Sequence, residues 1–541
     1  MVAALLLLIS GAILLSQASR LTPHVRNRVV SALEERFDAN VELGVFQVSI
    51  FPRPEVWGEG LRVRYKGRTD VPPLISIESF SASAGLMGLL GSPLRLRDVT
   101  LQGLDIRVPA GGMPDVDEED RKEDRKEDRN EPPRTAAKGA GRGTDPDEPP
   151  PPIAPLPIDP EAESPLIIDT ITSTGARFEI AAKRPGKLPR VFEIHDLVLT
   201  DFGFDRSAAF HAELTNPKPK GRIETEGRFG PWQRDDPRMT SVSGTYVFSD
   251  ADMNTIKGIG GTLTSSGRFE GVLERIAVSG ETRTPDFTVD RAAQPVDLKT
   301  RFEAVVDGTS GDTWLTPVDA AFLKTTLTAK GAVVRAQEVK GRVVSLEVTI
   351  PNGRIEDLLK FAVKSAKPPL TGAVAMTTTF LLPPGEEDVV ERLRLDGRFD
   401  LAQARFTNFD VQKRIDMLSR RGRGDTDDSD GASVVSGLKG RFRLKNGVLS
   451  FSQLTFAVPG AVVRLAGSYT LEGERLDFRG DLLLDANLSE TTTGFKAALA
   501  KLAQPFFRRK GGGSKLPIKV SGNVDKPSFG LDVKRALTPG N

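Results

Sequence analysis

Few side chains in this sequence of 541 residues stand at spacings that would support catalysis or metal binding. Three histidines occur, at positions 24, 195 and 211, and none has a second histidine or a carboxylate at metal-ligand spacing on a shared face. His195 lies in an alternating stretch, which predicts a solvated strand position. We therefore expect no metal site and no cofactor.

Residues 425–431, Asp-Thr-Asp-Asp-Ser-Asp-Gly, have the carboxylate density of a calcium loop. An EF-hand loop needs glycine at its sixth position and glutamate at its twelfth, where this sequence has Asp430 and Ser436. The stretch is interpreted as a surface loop without a cation. Serine-nucleophile, phosphate-loop and zinc-peptidase motifs are absent, so no catalytic residue is predicted and the protein is not expected to be an enzyme. The least favoured function for this chain is a hydrolase that uses a pair of carboxylates.

The composition of the chain excludes several classes of binding partner and site. The chain carries 74 basic and 73 acidic residues, a net charge of +1, which provides no general field for a polyanion, so we expect no nucleic acid. It has 0 cysteines, which excludes disulfides and thiolate metal sites. Its hydrophobic fraction of 38% is ordinary for globular proteins and allows several cores.

The N-terminus begins with an apolar run from Val2 to Leu15, and no charge precedes Arg20. A helix that crosses a bilayer core needs roughly 20 apolar residues, so residues 1–19 predict a transmembrane anchor. The alternative is a cleaved signal peptide, because residues 16–18 form a small-x-small pattern. The helix predicted after it, from Thr22, is expected to pack on the first strands, and the alternative is a helix that lies at the membrane surface.

Strand-like alternation dominates the rest of the chain, and it is interrupted by helices predicted at residues 353–364 and 409–418. Phe442 and Leu444 alternate with Arg441 and Arg443, and residues 446–447, Asn-Gly, predict a tight hairpin before the next strand. The sheet should therefore have one apolar face. The residues expected on this face as lipid contacts are Phe442, Leu444, Leu449, Phe451, Leu454, Phe456, Val463 and Leu465.

The tripeptide Gly-Arg-Phe recurs at positions 227, 267, 397 and 440. It predicts a strand start, with glycine in a turn, arginine toward solvent and phenylalanine toward the apolar side.

A basic amphipathic helix is predicted over residues 494–507. Its apolar face contains Phe495, Leu499, Leu502 and Phe506, and Arg508 and Arg509 form a basic flank. The pattern fits a helix at the membrane interface and, equally, a helix that closes one end of the sheet.

These patterns divide the chain into five regions. They are an anchor at 1–19, an α+β region at 20–110, a charged and proline-rich disordered linker or insertion at 111–165, a middle β region at 166–385, and a C-terminal β region with the amphipathic helix at 386–541.

Two blocks of the sequence resemble the AsmA family of bacterial envelope proteins. In the N-terminal block an apolar segment and a helix precede residues 41–56, 60–63 and 94–106. In the C-terminal block the resemblance lies in residues 444–449, 458–461, 465–471 and 516–529, the last reading Leu-Pro-Ile-Lys-Val-Ser-Gly-Asn-Val-Asp-Lys-Pro-Ser-Phe.

The resemblance implies a single-pass protein of the bacterial inner membrane with most of its chain in the periplasm. Its long antiparallel sheet would fold into an open, β-taco-like groove that binds and moves phospholipid and supports outer-membrane and envelope lipid homeostasis. The implied partners are membrane lipids, the inner membrane and outer-membrane or envelope-assembly proteins. No cofactor or catalytic residue is implied.

The alternation alone favours a different architecture, a closed β-sandwich, in which the protein would be a structural adaptor for outer-membrane protein assembly. The resemblance shifts the expectation to the groove. A groove predicts that Phe442, Leu444, Leu449, Phe451 and Leu465 stay accessible, whereas a closed core predicts that all five are buried.

Overall fold

The computed structural model describes residues 22–35, 39–50, 53–65, 72–108, 164–180, 190–233, 236–290, 292, 294–336, 341–365, 367–385, 387–425, 434–486, 513–523 and 526–532. The predicted anchor at 1–19, nearly all of the predicted linker and the predicted helix at 494–507 lie outside these residues. Among the described helices, none combines the length and apolar character needed to cross a bilayer.

Strands dominate the described chain, so the predicted mainly-β fold is confirmed. The strands of the N-terminal half are β1 Ala39–Ser49, β2 Glu55–Tyr65, β3 Ile75–Ala84, β4 Leu94–Gln102, β5 Asp105–Val108, β6 Leu166–Ile180, β7 Arg190–Gly203, β8 Ala208–Pro217, β9 Lys220–Phe229 and β10 Ser241–Asp252. The others are β11 Ile259–Gly260, β12 Thr262–Val272, β13 Arg275–Val289, β14 Val296–Val306, β15 Thr313–Phe322, β16 Thr325–Arg335, β17 Arg342–Arg354, β18 Leu370–Leu382, β19 Arg394–Phe406, β20 Ser436–Lys445, β21 Val448–Val458, β22 Ala461–Thr470, β23 Arg475–Leu484, β24 Ser514–Asn523 and β25 Lys526–Leu531.

Helices are few and short in the described residues. They are α1 at residues 22–35, α2 Leu86–Leu90, α3 Ile355–Leu359, α4 Val389–Arg392 and α5 Phe409–Gly422, with 3₁₀ turns at Pro237–Met239, Met253–Thr255 and Glu472–Glu474.

The chain forms two compact units. The first comprises Met1–Asp252, Thr264–Gly280 and Ala304–Thr313, and the second comprises Met253–Leu263, Glu281–Glu303 and Trp314–Asn541.

The first unit has a core under α1. Val25 is fully buried there with Val41, Leu43 and Val56, and Leu33 packs against the same cluster, so the predicted packing of the first helix on the first strands is confirmed. The apolar residues recur on one helix face, and this face is the one that the core buries.

Strand β6 pairs in parallel with both β4 and β5. Leu94 lies beside Leu166, and Val108 lies beside Ile180, so β5 ends where β6 also ends. Strands β5 and β6 are therefore parallel neighbours although they follow each other in the order of described strands. Residues 109–165 join two strands of one unit. From β6 to β10 the pairing is antiparallel.

In the second unit, β16 to β25 form an antiparallel meander in which each strand pairs with the next. Helix α3 follows β17 and α5 follows β19, so both helices lie at the same end of the strands, hereafter the helix end. At the opposite end, Asn446 and Gly447 both have positive φ, and the predicted Asn-Gly hairpin is confirmed.

The Gly-Arg-Phe tripeptides lie within strands β9, β12, β19 and β20 and not in turns, so that part of the prediction is wrong. Their arginines are exposed and their phenylalanines half-buried or buried, as expected. A Cβ added to Gly440 would lie 2.5 Å from the carbonyl oxygen of Gln453. Glycine is therefore used at this position because the neighbouring strand approaches too closely for a side chain.

Candidate functional site

The eight residues predicted as lipid contacts all lie on one face of the second unit. The register of β17 to β25 places them in four cross-strand rows, numbered from the turn end to the helix end. Row 1 contains Leu346, Phe380, Leu395, Leu444, Leu449, Tyr469 and Leu476. Row 2 contains Val348, Thr378, Gly397, Phe442, Phe451, Gly467, Phe478, Val520 and Phe529.

Rows 3 and 4 continue this face toward the helix end. Row 3 contains Ile350, Met376, Phe399, Gly440, Leu454, Leu465, Gly480, Ile518 and Leu531. Row 4 contains Val374, Leu401, Leu438, Phe456, Val463, Leu482 and Leu516. None of these side chains is charged. We call the four rows together the apolar face.

Several members of the apolar face were not predicted, among them Phe399, Leu395 and Phe478. Their signal is present in the sequence, because each alternates with exposed charged residues of β19 or β23. What was missing is the register, which aligns β17, β18 and β19 with the C-terminal strands.

Burial differs among the predicted residues. Phe442 is 9% exposed and Leu444 7%, whereas Leu449, Phe451, Leu454, Phe456, Val463 and Leu465 are half-buried. The expectation of access is therefore wrong for Phe442 and Leu444, and the expectation of complete burial is wrong for Leu449, Phe451 and Leu465. Whether these residues contact lipid stays a prediction.

An aromatic cluster explains the burial in row 2. The ring centroids of Phe399 and Phe442 are 6.2 Å apart, and the ring of Phe451 lies 6.4 Å from Phe399 and 5.8 Å from Phe478. Phe399 contacts Phe451 across β20, where Gly440, the row 3 neighbour of Phe399, has no side chain to separate the rings. Such tilted and edge-to-face contacts add to the burial of the rings.

Helices cover the apolar face at the helix end. Ile415 of α5 packs with Val458, Ala461, Leu484 and Leu516 in one buried cluster. A second cluster is formed by Val374, Leu401 and Ala404, against which Ile355 and Leu358 of α3 pack. In rows 1 to 3, which lie between the turn end and these clusters, most of the apolar side chains are only half-buried.

The opposite face of the same strands is polar. Arg441, Arg443 and Lys445 are exposed there, as the alternation predicts, and Arg443 donates to Asp396 at 2.6 Å across β19 and β20. The two faces of the sheet thus differ sharply in polarity.

No match to this chain is found among protein-family models, curated proteins or solved structures. The resemblance to the AsmA family therefore stays a prediction.

The first unit has an apolar face of the same kind. One of its cross-strand rows contains Ala176, Ile194, Leu214, Ile223 and Phe248, and all but Ala176 are half-buried. Tyr246 lies on β10 beside this row, and burial raises the pKa of its hydroxyl, which Ser265 contacts at 3.1 Å.

The remaining predicted sites offer no catalytic geometry in the described residues. His195 is exposed, and its ring Nε2 lies 2.8 Å from Thr215 Oγ1. No group of three potential metal ligands occurs in the part of the chain that is described. Most of the acidic stretch 425–431, together with Phe495, Leu499, Leu502, Phe506, Arg508 and Arg509, lies outside the described residues.

Proposed function

We propose that this chain is an inner-membrane-anchored periplasmic protein that binds phospholipid acyl chains on its apolar face and moves lipid along it. The observation that carries the proposal is the continuity of rows 2 and 3, which cross all nine strands from β17 to β25 without a charged side chain. At a strand spacing of about 4.8 Å, nine strands give a path of about 38 Å.

The energetics favour such a surface for lipid. An acyl chain of about 16 carbons in water costs roughly 12 kcal/mol at about 0.8 kcal/mol per methylene. A continuous apolar strip lowers this cost at every step, whereas separate pockets would leave barriers between them. Half-burial of Leu449, Phe451 and Leu465 leaves apolar area that a lipid can cover.

Anchoring and location in this proposal rest on the apolar run at 1–19 and on the resemblance in two blocks of sequence. The open, β-taco-like groove is the geometry proposed for the sheet. Membrane lipids and the inner membrane are the proposed partners, with outer-membrane or envelope-assembly proteins as further ones.

Site-specific photo-crosslinking in cells tests lipid contact. A photoreactive residue at Phe451, in the middle of row 2, is expected to give phospholipid adducts that mass spectrometry detects. The matched control is Lys445, which is exposed on the opposite face of the same hairpin and is expected to give none. Equal lipid labelling at both positions, or none at Phe451, contradicts the proposal.

Burial of Phe442 and Leu444 favours a second candidate, a structural adaptor with closed β cores. In that case the residue at Phe451 would crosslink only to other parts of the chain, and residues of the polar face would crosslink to envelope-assembly proteins. The same experiment therefore separates the two functions.

A further inference from the structure

The polar face of the second unit contains a recess with a cavity volume of about 500 Å³ that extends over β17 to β21. Its polar lining includes Thr377, Arg398, Asp400, Lys439, Arg441 and Gln453. The volume falls within the range that small-molecule sites occupy. Three cationic side chains and one carboxylate leave this lining with an excess of positive charge.

Arg398 and Arg441 stand directly opposite each other on β19 and β20. Like charges at this position repel, and the neighbouring positions of the same ladder are matched, with Asp396 opposite Arg443 and Asp400 opposite Lys439. Neither Arg398 nor Arg441 forms an ion pair with any carboxylate of the described residues. The repulsion is therefore not offset by a direct partner there.

Asp396 and Asp400 flank Arg398 on β19, and Asp396 is engaged by Arg443. Asp396 Oδ2 accepts two hydrogen bonds from Arg443, at 2.8 and 2.6 Å. Arg398 Nε donates to Thr377 Oγ1 at 3.1 Å, which restrains the guanidinium at the recess. Gln453 stands opposite Arg441 on β21.

We propose that this recess binds a phosphate-bearing group across Arg398 and Arg441. The guanidinium group presents paired N–H donors that match phosphate oxygens, and two arginines side by side supply the charge that a phosphate needs. Lys439 adds a third cation, and the side-chain amide of Gln453 supplies a neutral donor. A phosphate bound between the two guanidinium groups attracts both of them and so offsets their mutual repulsion.

The charged side chains of this site lie on the face opposite to the proposed lipid path, although the recess is also lined by four members of row 3, which are Ile350, Met376, Phe399 and Gly440. Its phosphate could come from a soluble phosphate ester or from a phospholipid headgroup, and both present the same dianionic or monoanionic oxygens to the arginines.

Calorimetric titration of the full chain, at constant ionic strength, tests the site. The probes are inorganic phosphate and a short-chain phosphatidic acid below its micellar concentration. The double variant Arg398→Gln, Arg441→Gln is expected to bind phosphate about tenfold more weakly or worse, because each lost charged hydrogen bond is worth about one factor of ten. Since lipid also binds to the apolar face through its acyl chains, the two sources are separated by the loss of affinity in the double variant. A loss for phosphate alone identifies a soluble ester, and a loss for both probes identifies a headgroup; both support the site.

The matched control is Arg479→Gln. Arg479 stands opposite Lys519 on β23 and β24, a like-charge pair on the same face but outside the recess. This variant is expected to bind both probes as the unsubstituted chain does. Equal affinity in the double variant, an equal loss in the control, or no binding to the unsubstituted chain overturns the proposal.

Thermal unfolding separates binding from a folding defect. Without phosphate, the double variant is expected to unfold at the same temperature as the unsubstituted chain or higher, because a repulsion has been removed. Phosphate should raise the Tm of the unsubstituted chain only, since a ligand stabilises the state that binds it. A lower Tm of the double variant without phosphate would assign the arginines a structural role and overturn the proposal.

Discussion

Glu356, at the start of α3, is a titratable residue with both a structural role and a shifted pKa. Its carboxylate accepts hydrogen bonds from the backbone N–H of Gly372 at 3.0 Å and from Arg354 Nε at 2.9 Å. Burial alone would raise the pKa of Glu356, but these hydrogen bonds and the charge of Arg354 outweigh burial and hold the pKa below its usual range. The ionised side chain thus ties α3 to β18.

A depressed carboxylate pKa stabilises the fold above the unfolded-state value, and this contribution is lost as the pH falls through the folded-state pKa. We expect Glu356→Gln to lower the free energy of unfolding by about 1 kcal/mol at neutral pH and by less below about pH 4. Urea unfolding of the variant and of the unsubstituted chain, at neutral pH and below about pH 4, measures the difference in free energy of unfolding. The control is Glu347→Gln, because Glu347 forms an exposed ion pair with Lys330. If the effect of Glu356→Gln on the free energy of unfolding does not change with pH, this account is contradicted.

Residue identity predicted which side of the sheet a side chain occupies but not how deeply it is buried. Phe442 and Leu465 both follow an arginine in an alternating strand, yet the first is buried and the second half-buried. The difference arises from Phe399, on another strand, which packs against Phe442. Such non-local packing has no signature in a single strand's pattern.

At the scale of the element, strand β20 offers a direct test of why glycine lies on the apolar face. A Cβ at Gly440 would meet the carbonyl oxygen of Gln453, whereas a Cβ at Gly437 in the same strand has open space around it. We expect Gly440→Ala to lower the free energy of unfolding by about 2 kcal/mol through strain, and Gly437→Ala to be neutral or stabilising by up to about 1 kcal/mol. Denaturant unfolding compares them, and equal effects would argue against close strand approach at Gly440.

Elements with local signals were predicted well, and their non-local pairing was not. Helix α5 was expected at 409–418 and extends to Gly422, with Asn408 Oδ1 accepting from the N–H groups of Asp410 and Val411. The helix predicted at 353–364 is regular only over Ile355–Leu359. The parallel pairing of β4 with β6 is set by contacts between residues about 70 positions apart, which no local pattern reports.

At the scale of the whole molecule, each compact unit combines a helix-covered core with an apolar face that is covered incompletely. In the second unit the described helices α5 and α3 pack at the helix end. A sheet meant only to form a closed core would gain stability by covering the middle rows as well, because each buried apolar side chain contributes about 1.5–3 kcal/mol. Under the proposed function, lipid would cover these half-buried rows in turn.

If lipid moves along these rows, a charge placed in the path should block it without unfolding the protein. Leu465, half-buried in row 3 between Leu454 and Gly480, is the position of choice, and its neighbour Ala466 is exposed on the opposite face. We expect Leu465→Asp to slow phospholipid transfer between donor and acceptor vesicles about tenfold or more, because an acyl chain must pass a carboxylate. Ala466→Asp should transfer lipid at the unsubstituted rate. Circular dichroism establishes that both variants retain their sheet, and a folded Leu465→Asp protein with full transfer activity would rule out the apolar face as the lipid path.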